Sequence, residues 1–462
     1  MKKLKLNIED IFNINSAVIY NPDNFKPLSK VSIDSRTISR NSLFVAIKGS
    51  KFDGHEFVDT AIINGASAVL INKKKLKEFD RVNIPLITVN DTTEALGELA
   101  NVWRKKLSAK VISITGSNGK TTTKEILAAI FSEKHKVVKT FANNNNHIGV
   151  PLAIFNADEK TEYLILEHGT NHFGEIKYTA AIAEPDYSLI TNIGSSHLEY
   201  LKNFDGVLKE KYSLFEETVK NSGLVFVNSD DLRLKKITKM NKSKVTFGFK
   251  GKPDYKAKIL NFGHDGCSEI EISASNKTMK FKIPLLGKAN AQNVLAAVAI
   301  AHKLGVSKSA ISEGLKKIAP PKGRLNSLRL NSNLLIDDTY NSNPESLKNA
   351  LDIIGKIKGY KNKILVLGDM YELGNDSARL HKSLKSSFKL KSSDSVFAIG
   401  SKMKLLVVEL VKQKINAQHF RTRKVLRDFL TIQQFSDSVI LVKGSRGMKM
   451  EEFVEILMNK AK

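Results

Sequence analysis

Cysteine is almost absent from this 462-residue chain: Cys267 stands alone. That excludes an intramolecular disulfide framework and suits a reducing, cytoplasmic setting. Long apolar runs are missing too, and none approaches the roughly 20 residues needed to cross a bilayer, so no membrane span is expected. The basic start Met1-Lys-Lys-Leu-Lys5 runs into Asn7, Glu9 and Asp10, where a signal peptide would need an apolar stretch. No internal repeat or low-complexity segment is found. No Ser-His-Asp order points to a hydrolase, and no Cys/His spacing points to zinc.

A basic tail is also lacking, although the chain carries 73 Lys plus Arg against 47 Asp plus Glu, a net +26. The excess is spread out, with +12 from Ala319 onward and +14 before it. Aromatics do not interleave with Lys and Arg as on a base-stacking surface. A Lys-rich solvated surface therefore accounts for the charge better than a nucleic-acid footprint, and no nucleic-acid partner is expected. A hydrophobic content of 42% and a charged content of 26% are those of a folded chain, and the length points to two to four cores.

Two changes of pattern divide the chain. Residues 1–108 hold short β-rich runs such as Ser42–Ile47 and Ala68–Ile71, with an amphipathic stretch, Thr93–Lys106, leading onward. Residues 109–318 repeat strand, loop and helix: Val111–Ile114, Tyr163–Glu167, Ser188–Thr191 and Leu224–Val227 read as buried strands of a parallel sheet covered on both faces. A helix from about Ala289 to Leu304 closes this part at Gly305. Ala319-Pro-Pro-Lys-Gly323 is the linker candidate. Residues 319–462 form another α/β unit around Leu334–Ile336, Ile364–Leu367, Val396–Ile399 and Val439–Val442.

The strongest local signal runs from Val111 to Thr123. An apolar strand enters Gly116-Ser117-Asn118-Gly119, and Lys120-Thr121-Thr122 opens a helix continuing to Phe131. Glycines let backbone N–H groups approach phosphate, the helix N-terminus favours the anion, Lys120 reaches the β/γ-phosphates, and a Thr hydroxyl can bind Mg²⁺. The two glycines are two residues closer than in the common G-x-x-x-x-G-K-[ST] loop.

This shorter loop resembles that of the Mur ligase superfamily, ATP-dependent ligases that join amino acids or short peptides to a carboxylate. The resemblance extends over nearly the whole chain. Asp34-Ser35-Arg36, Leu43–Gly49 and Asp53-Gly54-His55 look like the family's N-terminal nucleotide-sugar domain. Asn143–Leu152, Glu167–Gly169 with Gly174–Ile176, and Ile190–Glu199 follow in the family's order. Asp337–Ser346, Leu367–Gly374, His381 and Lys443–Met448 resemble the members that add D-alanyl-D-alanine to a UDP-N-acetylmuramoyl-tripeptide. The Asp-Asn-Pro-Arg motif of the ligase adding meso-diaminopimelate as third stem residue does not occur. The third-residue ligase and folylpolyglutamate synthase are the alternatives within the family, and a basic P-loop protein binding nucleic acid is the alternative outside it.

The resemblance implies three α/β domains: a smaller N-terminal domain, a central parallel-sheet P-loop ATPase domain and a Rossmann-like C-terminal domain. It implies ATP and Mg²⁺ as cofactors and a monomer. Thr121, Glu167 and His197 become Mg²⁺ ligands, joined by Lys211 once CO₂ has carbamylated it, with Lys209 the register alternative. Lys120, Lys211, His197 and Glu167 carry the catalysis. On residue type alone, Lys211 is an exposed helix lysine and Glu167 a solvent-facing strand end. Asn293 matches the adenine-contacting amide, although Ala289 stands where the family commonly has histidine. Arg324 points toward phosphate and Asp338 toward ribose, the bland alternative for Asp338 being a helix N-cap. Asn145 and Asn146 hold the sugar-peptide, and Ser35 and Arg36 its uridine-diphosphate end. ATP residues fall on both sides of the linker, so domain closure would assemble the site.

Overall fold

Three runs of strands alternate with helices, and each run closes its own sheet. The computed structural model describes residues 4–237, 243–262, 267–275 and 277–460; Met1–Lys3 of the basic start lie outside the described residues. The first sheet has five strands, in spatial order Val18–Tyr20, Leu86–Val89, Ala66–Asn72, Ser42–Val45 and Lys30–Ser32. Only the first pairs antiparallel. The helix Thr92–Lys106 leaves this sheet, capped by Asp91, whose carboxylate accepts from the Thr93 and Glu94 amides. Its Arg104 donates to the carbonyls of Ala183 and Leu107, which ties the N-terminal unit to the central one.

The central sheet holds the expected parallel strands and adds an antiparallel ribbon at one side. It has nine strands, and the four expected ones sit among others: Lys244–Gly248, Tyr255–Phe262, Ser268–Ala274 and Lys277–Ile283 extend one side. The last two run antiparallel. Ser268–Ala274 and Lys277–Ile283 alternate buried and exposed side chains, as a ribbon with one wet face does. The helix Gly287–Lys303 starts two residues earlier than expected and is buried on most of its length, between this ribbon and the helix Lys120–Phe131.

The third sheet has six strands, Asn326–Leu330, Asn333–Asp338, Ser438–Lys443, Asn362–Gly368, Ser395–Ile399 and Ala417–Phe420, parallel except for the first. Ala319–Gly323 joins it to the central unit without helix or strand.

Next to the strand Tyr163–Glu167 lies a buried polar seam. His168 places Nε2 against Ser113 Oγ and Nδ1 against Thr179 Oγ1, each at 2.9 Å. Burial pushes the imidazole down to about 3. The unfolded chain takes up a proton below its ordinary value of 6.5, and the folded chain does not. The stabilisation is therefore complete above pH 6.5 and lost as pH falls toward 3. Between pH 6.5 and 5 the chain should lose about 2 kcal/mol more than a His168→Gln variant. Urea midpoints across that range check this; parallel profiles would contradict it.

Candidate active site

Beyond the strand Lys110–Thr115 the chain turns through Gly116 to Gly119 into the helix Lys120–Phe131. Gly119 holds φ +84°, and a Cβ there would lie 2.4 Å from Asn293 Oδ1. Only glycine combines that backbone with that approach. No side chain caps the helix, so its first N–H groups stay available to an anion. Asn192 fixes the loop, its Oδ1 accepting from the Asn118 amide and its Nδ2 donating to the Asn118 carbonyl, both at 3.0 Å. Thr191 Oγ1 donates to the same carbonyl, and Ser117 Oγ donates to the carbonyl of Gly194. Lys120 Nζ folds back onto the Gly116 carbonyl at 2.8 Å. Desolvation pushes that ammonium down, with Glu167 opposing and Arg324 adding repulsion.

The loop opens on a cavity of about 690 Å³ framed by the central and C-terminal units. Ser117, Asn118, Gly119, Lys120, Thr122 and Asn293 line it from one side. Asn145, Asn146, Glu167 and His197 line another, and Arg324 and Asp338 face them from the C-terminal unit. Gly116 and Thr121 lie just behind, and Thr121 is buried. Ser35 and Arg36 do not join this group. Ser35 is buried at the N-terminal sheet, and Arg36 is exposed and held by Asp34, whose carboxyl the guanidinium lowers to about 2.

Glu167 is the meeting point. The strand-end carboxylate is buried, contrary to the solvent-facing reading of its residue type. Its Oε1 accepts from Thr121 Oγ1 at 3.1 Å and Asn145 Nδ2 at 2.9 Å, and its Oε2 is buried without a hydrogen-bond partner. Thr121 Oγ1 also accepts from Arg324 Nη2 at 3.2 Å, so a C-terminal guanidinium reaches the phosphate loop. Arg324 stacks on Tyr340, 4.1 Å from the ring centroid. His197 holds φ +53°, and its Nδ1 lies 2.8 Å from Glu372 Oε2. That pairing holds the Glu372 carboxyl below its ordinary range.

Lys211 is not the exposed helix lysine of its residue type. It is 1% exposed, while Lys209 faces solvent. Burial, and then repulsion from Lys120, drives its amine well below the ordinary lysine range. Asp338 is not a helix N-cap either. The helix Pro344–Lys356 is capped by Asn343, and Asp338 Oδ2 instead accepts from buried Lys443 Nζ at 2.6 Å. Ala289 stands exposed beside Asn293.

Sequence reasoning assigned no role to Lys124, Asn192, Glu345, Glu372 or Lys443. Asn343 Nδ2 donates to Asn118 Oδ1, and Ser195 Oγ to Glu345, so the first turn of Pro344–Lys356 grips both phosphate-loop walls.

Among the described residues, no group of three His, Cys, Asp or Glu side chains could hold a metal alone. Mg²⁺ needs no such cage, since it keeps waters and takes phosphate oxygens beside one or two carboxylates. Glu167, with Oε2 unbonded and Thr121 beside it, fits that requirement.

Comparison with known families matches residues 114–301 to the Mur ligase middle domain, 323–446 to the Mur ligase glutamate ligase domain and 27–104 to the Mur ligase family catalytic domain. The UDP-N-acetylmuramoyl-tripeptide–D-alanyl-D-alanine ligase of Haemophilus influenzae is 34% identical over 99% of this chain and 100% of its own. The chain belongs to the Mur ligase family. The same-named ligase of Bacillus subtilis is 32% identical to this Mur ligase, over 98% of this chain and 99% of its own. Among solved structures, MurF from Acinetobacter baumannii superposes with a TM-score of 0.88 at 30% identity, covering 99% of this chain and 100% of that one. MurF ligase from Thermotoga maritima, in complex with ADP, superposes at 0.81 with 26% identity, covering 94% and 97%.

Gly119→Ala tests the phosphate loop of this Mur ligase. Strain at the left-handed backbone, on the order of 1–2 kcal/mol, joins the clash with Asn293. The Kd of a non-hydrolysable ATP analogue should rise about tenfold or more; calorimetry showing an unchanged Kd would contradict the assignment.

Proposed function

We propose that this Mur ligase uses ATP to join D-alanyl-D-alanine to the terminal carboxylate of a UDP-N-acetylmuramoyl-tripeptide, forming ADP, phosphate and the pentapeptide precursor of peptidoglycan. Support comes from the full-length similarity to ligases bearing that name and from one feature of the geometry. An uncapped phosphate-loop helix, an Asn-rich loop and a C-terminal guanidinium share a single cavity. A nucleoside triphosphate and a carboxylate acceptor can therefore meet there.

The γ-phosphoryl group passes from ATP to a carboxylate oxygen of the tripeptide, and ADP leaves. The amine of the dipeptide then attacks the acyl carbon, the carbon–oxygen bond breaks, phosphate departs and the nitrogen loses a proton. In this reading the helix N-terminus and Lys120 hold the triphosphate, and Arg324 adds positive charge where phosphoryl oxygens crowd. Lys120 leaves the Gly116 carbonyl for a phosphate oxygen. Asn293 faces adenine and Asp338, held by Lys443, the ribose. Asn145 and Asn146 orient the acceptor carboxylate. Glu167, His197 and Thr121 would hold Mg²⁺, which would supply charge neutralisation at the phosphoryl oxygens. Lys211, buried and with its amine depressed, favours the neutral form whose nitrogen can add to CO₂ and lose a proton, giving a carbamate that would join that set.

Residues 1–108 would take the UDP-sugar through Ser35 and Arg36, 109–318 ATP, and 319–462 the dipeptide. The resemblance implies a cytoplasmic monomer; no described helix is long and apolar enough to cross a membrane.

Phosphate release by the purified enzyme, with ATP and the UDP-linked tripeptide, should require D-alanyl-D-alanine. Equal release with diaminopimelate, lysine or glutamate as amine donor would overturn the assignment. Lys120→Ala should lower turnover about 10²–10³-fold, and near-normal turnover would remove the phosphate-loop role.

A further inference from the structure

The helix that opens on the phosphate loop buries a lysine completely. Lys124 is 0% exposed, one turn beyond Lys120. Its Nζ donates to the Thr140 carbonyl at 2.9 Å and to the Ala142 carbonyl at 2.7 Å. It also lies 3.3 Å from Glu125 Oε1 and 3.6 Å from Glu167 Oε2. A buried ammonium is costly unless paired and hydrogen-bonded, so a chain that keeps one uses it to fix its partners.

Those partners share one location. Thr140 continues the edge strand Val137–Lys139, its Oγ1 accepting from the Glu167 amide. Ala142, at φ +48°, sits in the turn that releases Asn143–Asn146 into the cavity. Three residues beyond Ala142, Asn145 donates to Glu167 Oε1 and its carbonyl accepts from the Gly169 amide, while Asn146 Oδ1 accepts from the Ile148 and Gly149 amides. Lys124 thus grips the loop at its root, and Glu167 meets it further along. At 3.6 Å the ammonium balances the charge on Glu167 Oε2 without occupying that oxygen in a hydrogen bond.

We propose that Lys124, from behind the cavity wall, is the positioning residue for acceptor binding: it clamps the Thr140 and Ala142 carbonyls so that Asn145 and Asn146 stand preformed beside the phosphate loop. The role rests on the ligase reading given above. Lys124 does not line the cavity and touches no substrate. Its removal should therefore loosen the acceptor subsite and spare the nucleotide subsite, whose anion donors lie on the loop and helix N-terminus.

Two variants separate the effects. Lys124→Met removes charge and donors; Lys124→Gln drops the charge and keeps two N–H donors. Calorimetry with UDP-N-acetylmuramoyl-tripeptide, without nucleotide or metal, should show Kd rising about tenfold or more in Lys124→Met, the scale of lost hydrogen bonds from a charged donor. Lys124→Gln should recover much of that loss. The Kd of a non-hydrolysable ATP analogue should stay within about threefold in both. Amide exchange at Asn144 and Asn145 should accelerate in Lys124→Met. Folded variants with normal acceptor affinity, or with both affinities weakened alike, would overturn the role. If neither variant folds, the wild-type amides decide: protection of Asn144 and Asn145 without ligands supports the clamp, and exchange at unstructured rates overturns it. A wild-type protein that binds the acceptor neither alone nor beside the ATP analogue would instead overturn the ligase reading itself.

Discussion

A carboxylate buried at the end of a strand ties the site together. Burying an anion costs several kcal/mol unless neighbours compensate it, and the neighbours recruited by Glu167 come from three places. Thr121 comes from the phosphate-loop helix, Asn145 from the asparagine loop and Lys124 from the following helical turn. Through Thr121 the same contact reaches Arg324 across the linker. Nucleotide wall, acceptor wall and C-terminal unit are thereby fixed relative to one oxygen pair.

Cations gather around this anion. Lys120 and Lys124 act on it directly and Arg324 reaches it through Thr121, Lys124 being completely buried. Burial first, and then repulsion from neighbouring cations, depresses the amines of Lys120 and Lys211. In the proposed reaction the phosphates of ATP would bring negative charge to Lys120 and Arg324. The net +26 has little to do with this, because most of it lies on exposed lysines.

Much of the site was legible because phosphate chemistry imposes local order: strand, glycine turn, Lys-Thr and helix are contiguous, and Gly116 to Thr122 were read directly. The buried strands of the parallel sheet were legible as apolar runs. The ribbon Ser268–Ile283 was missed because each of its strands buries only alternate side chains, and a search for continuous apolar runs passes over Lys277-Thr-Met-Lys-Phe-Lys-Ile283. Lys124 and Lys443 were missed for a different reason. Lysine is ordinarily a surface residue, and only the fold shows carbonyls and carboxylates converging on these two. Contacts such as Asn343 with Asn118, 225 residues apart, have no local signature at all.

Transfer of oxygen tests the chemistry most directly. Ligation through an acyl phosphate requires that one oxygen of the acceptor carboxylate leave with phosphorus. With the terminal carboxylate of the UDP-linked tripeptide labelled with ¹⁸O, and ATP and D-alanyl-D-alanine supplied, mass spectrometry of the released phosphate should find one labelled oxygen per molecule. Unlabelled phosphate accompanying full product formation would contradict carboxylate phosphorylation.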